Sequence, residues 1–320
     1  MTDDYEMYRQ LIKEGRFLHA VHFSESMCLK NNNAFWLTQY AQALIKAGNY
    51  NNALHAAQQA QQLDSTNLYA VVAEADALMG LHKPEDALPL YREALHEKRL
   101  SRRSKRGILE CMLKLKKWED ILAFISESGG NETSNIESMY YRVKALVGLK
   151  KYDEAQAVCK EWLRTSPDNR SALWELTELE ILRDGMDAVL EHMSRLARIP
   201  SLPPVYKEIY ASLCRRAGKE DLALSEYEKI TAETPSHKIQ KKRAFTLAKS
   251  GKLEEAIPLL EEFLRIEPDD RYLNASYKAA CKRSGEVDRA INFYNKLLSL
   301  HPGKGSIYGH IKYMKKFQEK

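Results

Sequence analysis

What is scarce in this chain narrows the choices first. Glycine (14) and proline (10) are few for 320 residues, which counts against a turn-rich all-β protein and for a helical one. No apolar run approaches the roughly 20 residues that span a bilayer. ILAFI at 121–125 is among the longest, so no membrane insertion is expected. The stretch MTDDYEMYRQ is acidic and polar and lacks the basic start and apolar core of a signal peptide. A cytoplasmic location is the resulting expectation. The five cysteines, Cys28, Cys111, Cys159, Cys214 and Cys281, are far apart and form no C-x-x-C pair. They read as reduced thiols inside helices, not as a disulfide framework or a zinc site.

Signatures of catalysis are equally sparse. There is no Gly-rich phosphate loop, no G-x-S-x-G and no H-E-x-x-H. His19 and His22 lie three apart on a predicted helix without the acidic pair that would support a metal, so none is assigned. Asp184-Gly185-Met186-Asp187 reads as a hairpin turn followed by a helix start, where carboxylates are favoured. Neither an enzyme activity nor a cofactor is expected. What is present, 44% hydrophobic and 29% charged residues, describes a folded chain.

The positive signal is repetition. Copies of one phrase, clearest in GNYNNALHAAQQAQQLDSTN (48–67), KKYDEAQAVCKEWLRTSPDN (150–169) and GKLEEAIPLLEEFLRIEPDD (251–270), align on one small residue. That residue is Ala20, Ala53, Ala87, Ile121, Ala155, Val189, Ala223, Ala256 and Ala290, at spacings of 33 or 34. Five residues earlier stand Gly15, Gly48, Gly218, Gly251 and Gly285, with His82, Lys116, Lys150 and Asp184 in the middle copies. Twelve residues later stand Pro167, Pro235, Pro268 and Pro302. Glycine permits the positive φ of a helix-ending turn, alanine lets two helices approach, and proline closes the second helix. Each unit is therefore predicted to be a helical hairpin.

The pattern resembles the tetratricopeptide repeat over essentially the whole chain. Units are assigned near Met1, Ala34, Leu68, Arg102, Ile136, Arg170, Pro204, His237 and Arg271, with residues 1–304 as the repeat array. Units four and six depart most; KKWEDILAFISESGG keeps the aromatic Trp118 but loses the alanine and the proline. Residues 305–320 place Ile307, Ile311 and Met314 on one side of a predicted capping helix. The fold expectation is all-α: a right-handed superhelical solenoid of about nine hairpins. SESGGNETSN (126–135) and IPSLPPVY (199–206) are local interruptions, and Asn131-Glu132-Thr133 matches a glycosylation sequon that a cytoplasmic chain would not use.

The resemblance implies that a ligand lies along a concave wall made of the first helix of each unit. Groove positions of the family fall here on Tyr5, Arg9, Phe35, Gln42, Tyr69, Arg103, Arg106, Tyr140, Lys144, Trp174, Arg215, Lys238 and Lys241. Phe245, Tyr272 and Lys282 extend the set, and Asp76, Glu110, Glu137, Glu178 and Glu208 are acidic exceptions. Aromatics and cations of this kind are enriched at binding hot spots, although some of the rings would also serve as packing between units. The family's carboxylate clamp is not matched: units one and two offer Tyr5, Arg9, Thr38 and Gln42 where Lys and Asn would stand.

The net charge of +5 is uneven, with six basic residues in 98–107 (KRLSRRSKRG) and four in 238–243 (KIQKKR). Such runs read first as solvated helix faces, next as a surface for an acidic protein segment, and last as a nucleic-acid contact. The leading expectation is a non-enzymatic scaffold or adaptor that binds a partner protein or peptide. A peptide-sensing regulatory module and a nucleic-acid binder using 98–117 remain as alternatives, and terminal units could pair with a second copy.

Overall fold

Helix boundaries follow the punctuation of the repeat. In the computed structural model, which describes residues 2–127 and 136–318, the described residues form 19 α-helices and one short 3-10 turn. Consecutive helices pair as hairpins: α1 (Thr2–Lys13) with α2 (Phe17–Asn31), α3 (Ala34–Lys46) with α4 (Tyr50–Leu63), and α5 (Leu68–Gly80) with α6 (Pro84–Glu93). Next come α7 (Ser101–Lys114) with α8 (Trp118–Glu127), α9 (Ile136–Gly148) with α10 (Tyr152–Thr165), and α11 (Arg170–Asp184) with α12 (Met186–Ala197). The last three pairs are α13 (Val205–Arg216) with α14 (Glu220–Glu233), α15 (His237–Ser250) with α16 (Leu253–Ile266), and α17 (Arg271–Ser284) with α18 (Val287–Leu300), followed by α19 (Gly305–Gln318). The 126–135 interruption and its sequon lie largely outside the described residues.

Each punctuating residue has a visible physical role. All nine aligned small residues are buried, including Ile121 and Val189. The four prolines stand two residues past the ends of α10, α14, α16 and α18. Gly15, Gly48, Gly218, Gly251 and Gly285 take positive φ, and His82, Lys116 and Lys150 adopt the same left-handed conformation without being glycine. The sixth unit corrects the sequence alignment. There the positive φ, +85°, belongs to Gly185 and not to Asp184, so that one residue ends α11 and opens α12.

The last residue of the phrase also begins the next unit. Asn33, Asn67, Asn169 and Asp270 accept hydrogen bonds from the backbone N–H of Trp36, Ala70, Ala172 and Leu273, capping α3, α5, α11 and α17.

The chain divides into two compact units, Met1–Trp162 and Leu163–Lys320. Within the first, the second helix of a hairpin packs on the next hairpin's first helix, as α2 does on α3, α4 on α5 and α6 on α7. First helices also touch in succession: α3 with α5, α5 with α7, and α7 with α9. They thereby form one wall. The core beneath holds Trp36, Val72, Ile108 and Met112. Each large apolar side chain buried this way contributes about 1.5–3 kcal/mol. The second unit repeats the arrangement, with α11 on α13, α15 on α17 and α17 on α19, around Ile209, Tyr227, Leu260, Phe263 and Tyr294. Ile307, Ile311 and Met314 of α19 are buried against its last hairpin, and Lys312, Lys315 and Lys316 face solvent.

Candidate functional site: the first-helix wall

In Met1–Trp162 the wall opens into a cleft of about 620 Å³ between α1 and α3. Tyr5, Arg9 and Gln42, three of the residues singled out by the repeat register, line it together with Lys13, Gln39 and Lys46. The i, i+4 spacing of Tyr5 and Arg9 sets the guanidinium 6.0 Å from the ring centre, and Glu6 ion-pairs with Arg9 at 3.1 Å. Phe35 meets the Tyr5 ring edge-on at 5.4 Å and still leaves 40% of its surface exposed. Tyr8 fixes the floor, donating its hydroxyl to the Gln39 carbonyl at 2.8 Å. Burial pushes that phenol well above its ordinary range, with the neighbouring Tyr5 adding to the shift, so it stays a neutral donor. Cations, amides and aromatic edges thus converge on one concavity.

Farther along the same unit the wall is partly self-neutralised. Arg103 of α7 ion-pairs with Asp76 of α5, which also accepts the Tyr91 hydroxyl. Glu110 accepts the Tyr141 hydroxyl at 3.0 Å, and Arg106, exposed, acts on the same phenol. Two of the acidic exceptions are therefore partners of groups on neighbouring helices. The segment 98–117 is not a bare cationic stripe. Tyr69 is exposed, and Tyr140 is half-buried with the Lys144 ammonium 5.7 Å from its ring centre.

In Leu163–Lys320 the predicted residues separate into roles. Trp174 is half-buried and packs on the core. Lys241 reaches forward to Glu267 at 2.6 Å and Asp270 at 2.5 Å, joining α15 to the start of α17. Burial pulls its ammonium down, but the two carboxylates outweigh that and leave it raised. Glu178 pairs with Arg216 and Glu208 with Arg170, again linking neighbouring first helices. Phe245 is half-buried against the core, whereas Tyr272 and Lys282 are exposed.

The run KIQKKR differs from a solvated face. Lys238 alone of its cations is exposed; Lys241 is paired, and Arg243 pairs with Glu228 and Glu255. Lys242 points inward, donating to Ser212 Oγ at 3.2 Å. Sequence reasoning passed over Lys242, Arg170, Lys13 and Lys46. The register four residues after Arg9 and Gln42 was the available signal for Lys13 and Lys46.

Among the described residues no group of three or more His, Cys, Asp or Glu could hold a metal ion, and no helix is long and apolar enough to cross a membrane. His19 and His22 are exposed, with His22 3.8 Å from Glu25.

No family model matches the chain. It is 23% identical over 300 residues to tetratricopeptide repeat protein 21A of Mus musculus, covering 89% of this chain and 22% of that protein. The Homo sapiens protein of the same name is 26% identical over 155 residues, 46% of this chain and 11% of that one. The chain thus spans about a fifth or less of these relatives. Among solved structures, human IFIT1 in a dimer with PPP-AAAA aligns over 93% of this chain and 72% of its own, at 16% identity and a TM-score of 0.47. YrrB, a TPR protein with an unusual peptide-binding site, aligns over 58% of this chain and 96% of its own, at 14% identity and a TM-score of 0.43.

Proposed function

We propose that this tetratricopeptide-repeat protein is a protein-interaction scaffold that holds a segment of a partner protein against the wall of its first helices. The observation that carries the reading is the cleft between α1 and α3, where Tyr5, Arg9, Lys13, Gln42 and Lys46 converge. Its chemistry suits an extended segment. Side-chain amides and ammonium groups hydrogen-bond backbone carbonyls or carboxylates, and the Tyr5 and Phe35 rings cover apolar side chains. Arg9, Lys13 and Lys46 outnumber Glu6, so an acidic segment is favoured and steered in.

The test is retention of partners from lysate by three versions of the chain. These are wild type, a cleft variant carrying Arg9→Glu, Lys13→Glu and Lys46→Glu, and a second-helix variant carrying Arg92→Glu and Lys160→Glu. All five positions are exposed, so each version should keep its helical circular dichroism. A protein kept by wild type and the second-helix variant but lost by the cleft variant is the expected result. Equal retention by all three contradicts the reading.

A further inference from the structure

Within Leu163–Lys320, four cations crowd one place on the first-helix wall. Arg170 opens α11, Arg215 lies near the end of α13, and Lys238 and Lys242 stand one turn apart on α15. Ser212 and Tyr227 form the floor, their hydroxyls 3.4 Å apart, with Ser212 donating to the Glu208 carbonyl and accepting from Lys242. Glu208, ion-paired with Arg170, is the carboxylate among the strongest influences on Lys242; the other three, Arg170, Lys238 and Arg215, are cations. Three positive charges are left in excess.

The cluster is also short of partners. Arg215 Nε is buried without a hydrogen-bond acceptor, and a buried donor left unmatched is costly to the fold. Burial, reinforced by Arg170, pulls the Lys242 ammonium down to about 8, with Glu208 opposing and Lys238 and Arg215 adding to the depression. Burial likewise raises the Tyr227 phenol, while its contact with Ser212 and the charges of Arg215 and Arg170 draw it back. Apart from Glu208, which is already paired with Arg170, the charged groups acting on Lys242 repel it, an arrangement that suits an added anion.

We propose that the cluster is an anion site that receives a phosphate monoester, the phosphorylated serine or threonine side chain of a partner segment lying on the first-helix wall. Two arguments favour a phosphate over a lone carboxylate. A phosphate monoester carries close to two negative charges at neutral pH and so offsets most of the excess. Its three terminal oxygens can engage the two guanidinium forks together with Lys242, whereas a carboxylate offers two. The identity of the carrier rests on the wall being the surface that binds a partner; the anion site itself does not.

Inorganic phosphate tests it on the full chain at constant ionic strength, with the ¹⁵N-labelled Arg215 and Arg170 Nε–Hε signals as the readout. Saturable shifts of both are expected. Lys242→Gln should weaken the binding about tenfold. The exposed Lys238→Gln, which leaves the floor intact, should weaken it severalfold, read on the same signals. Acetate at equal ionic strength should move neither signal saturably. Non-saturable shifts, binding unchanged in both variants, or acetate acting as phosphate does would overturn the site. Equal binding of dimethyl phosphate would point to a nucleic-acid backbone and overturn the assignment to a phosphorylated side chain. Should phosphate bind while the three-version retention experiment fails, the site stands and the wall is removed as its setting; the reverse pair of results removes the site alone.

Discussion

Arg103 and Asp76 sit 27 positions apart in sequence and meet as an ion pair between the first helices of consecutive hairpins. Asp76 holds the Tyr91 hydroxyl at the same time, so one carboxylate ties three helices, α5, α6 and α7. Asp76→Ala strands two donors and is predicted to destabilise Met1–Trp162 by about 1–3 kcal/mol. Arg103→Ala removes only the exposed arm and should cost less than about 1 kcal/mol. Urea unfolding of both variants measures the asymmetry; equal losses would contradict it.

Three turns carry strain that a substitution should relieve. His82, Lys116 and Lys150 hold φ of 61°, 56° and 60°, where a side chain crowds the following carbonyl. Lys116→Gly and Lys150→Gly are each predicted to stabilise by about 1 kcal/mol, since glycine reaches this conformation freely. A lowered thermal midpoint in either would contradict the turn assignment.

Close packing between hairpins also rests on glycines within the first helices, Gly80 and Gly148 among them. A methyl group on Gly148 would come within 2.4 Å of the Trp118 ring, and one on Gly80 within 2.2 Å of the Tyr50 ring. In each case the aromatic at the start of a second helix lies flat on the next first helix. Gly148→Ala and Gly80→Ala should each cost about 1–3 kcal/mol through displaced rings. The change in Trp118 fluorescence on Gly148→Ala reports the displacement directly.

Lys242 gives stability a pH signature. Its folded pKa of about 8 lies below the ordinary ammonium value of 10.5, so between these pH values the unfolded chain binds more protons than the folded one. Its contribution therefore rises as pH increases through that window. Buried tyrosines and cysteines act in the opposite sense, so the quantity to follow is the difference between wild type and Lys242→Gln. Denaturation midpoints at pH 7.5, 8.5 and 9.5, with thiols kept reduced, should show that difference shifting in favour of wild type. A difference independent of pH would mean that Lys242 is neither buried nor held among cations.

The repeat was legible because its markers act locally. Ala53 or Ala256 must be small wherever two helices of one hairpin cross, and Pro235 must end a helix whatever surrounds it. Gly185 escaped the alignment because its turn is a single residue, against two or three in the other hairpins, a change that a fixed spacing hides. Asp76, Glu178 and Glu208 looked like exceptions in a basic face. Their partners, Arg103, Arg216 and Arg170, lie on the adjacent hairpin, and only the stacking of hairpins brings them together. The same reason kept Lys242 out of view: nothing in KIQKKR distinguishes the cation that turns inward from the one that stays in solvent.

A site-specific photocrosslinker tests the central claim most directly. Placed at Lys46, in the cleft between α1 and α3, it should capture a partner protein from lysate in a discrete adduct. Placed at the exposed Gln59 on α4, it should not. Adducts at Gln59 and none at Lys46 would contradict the account, because the partner would then be held by the second helices.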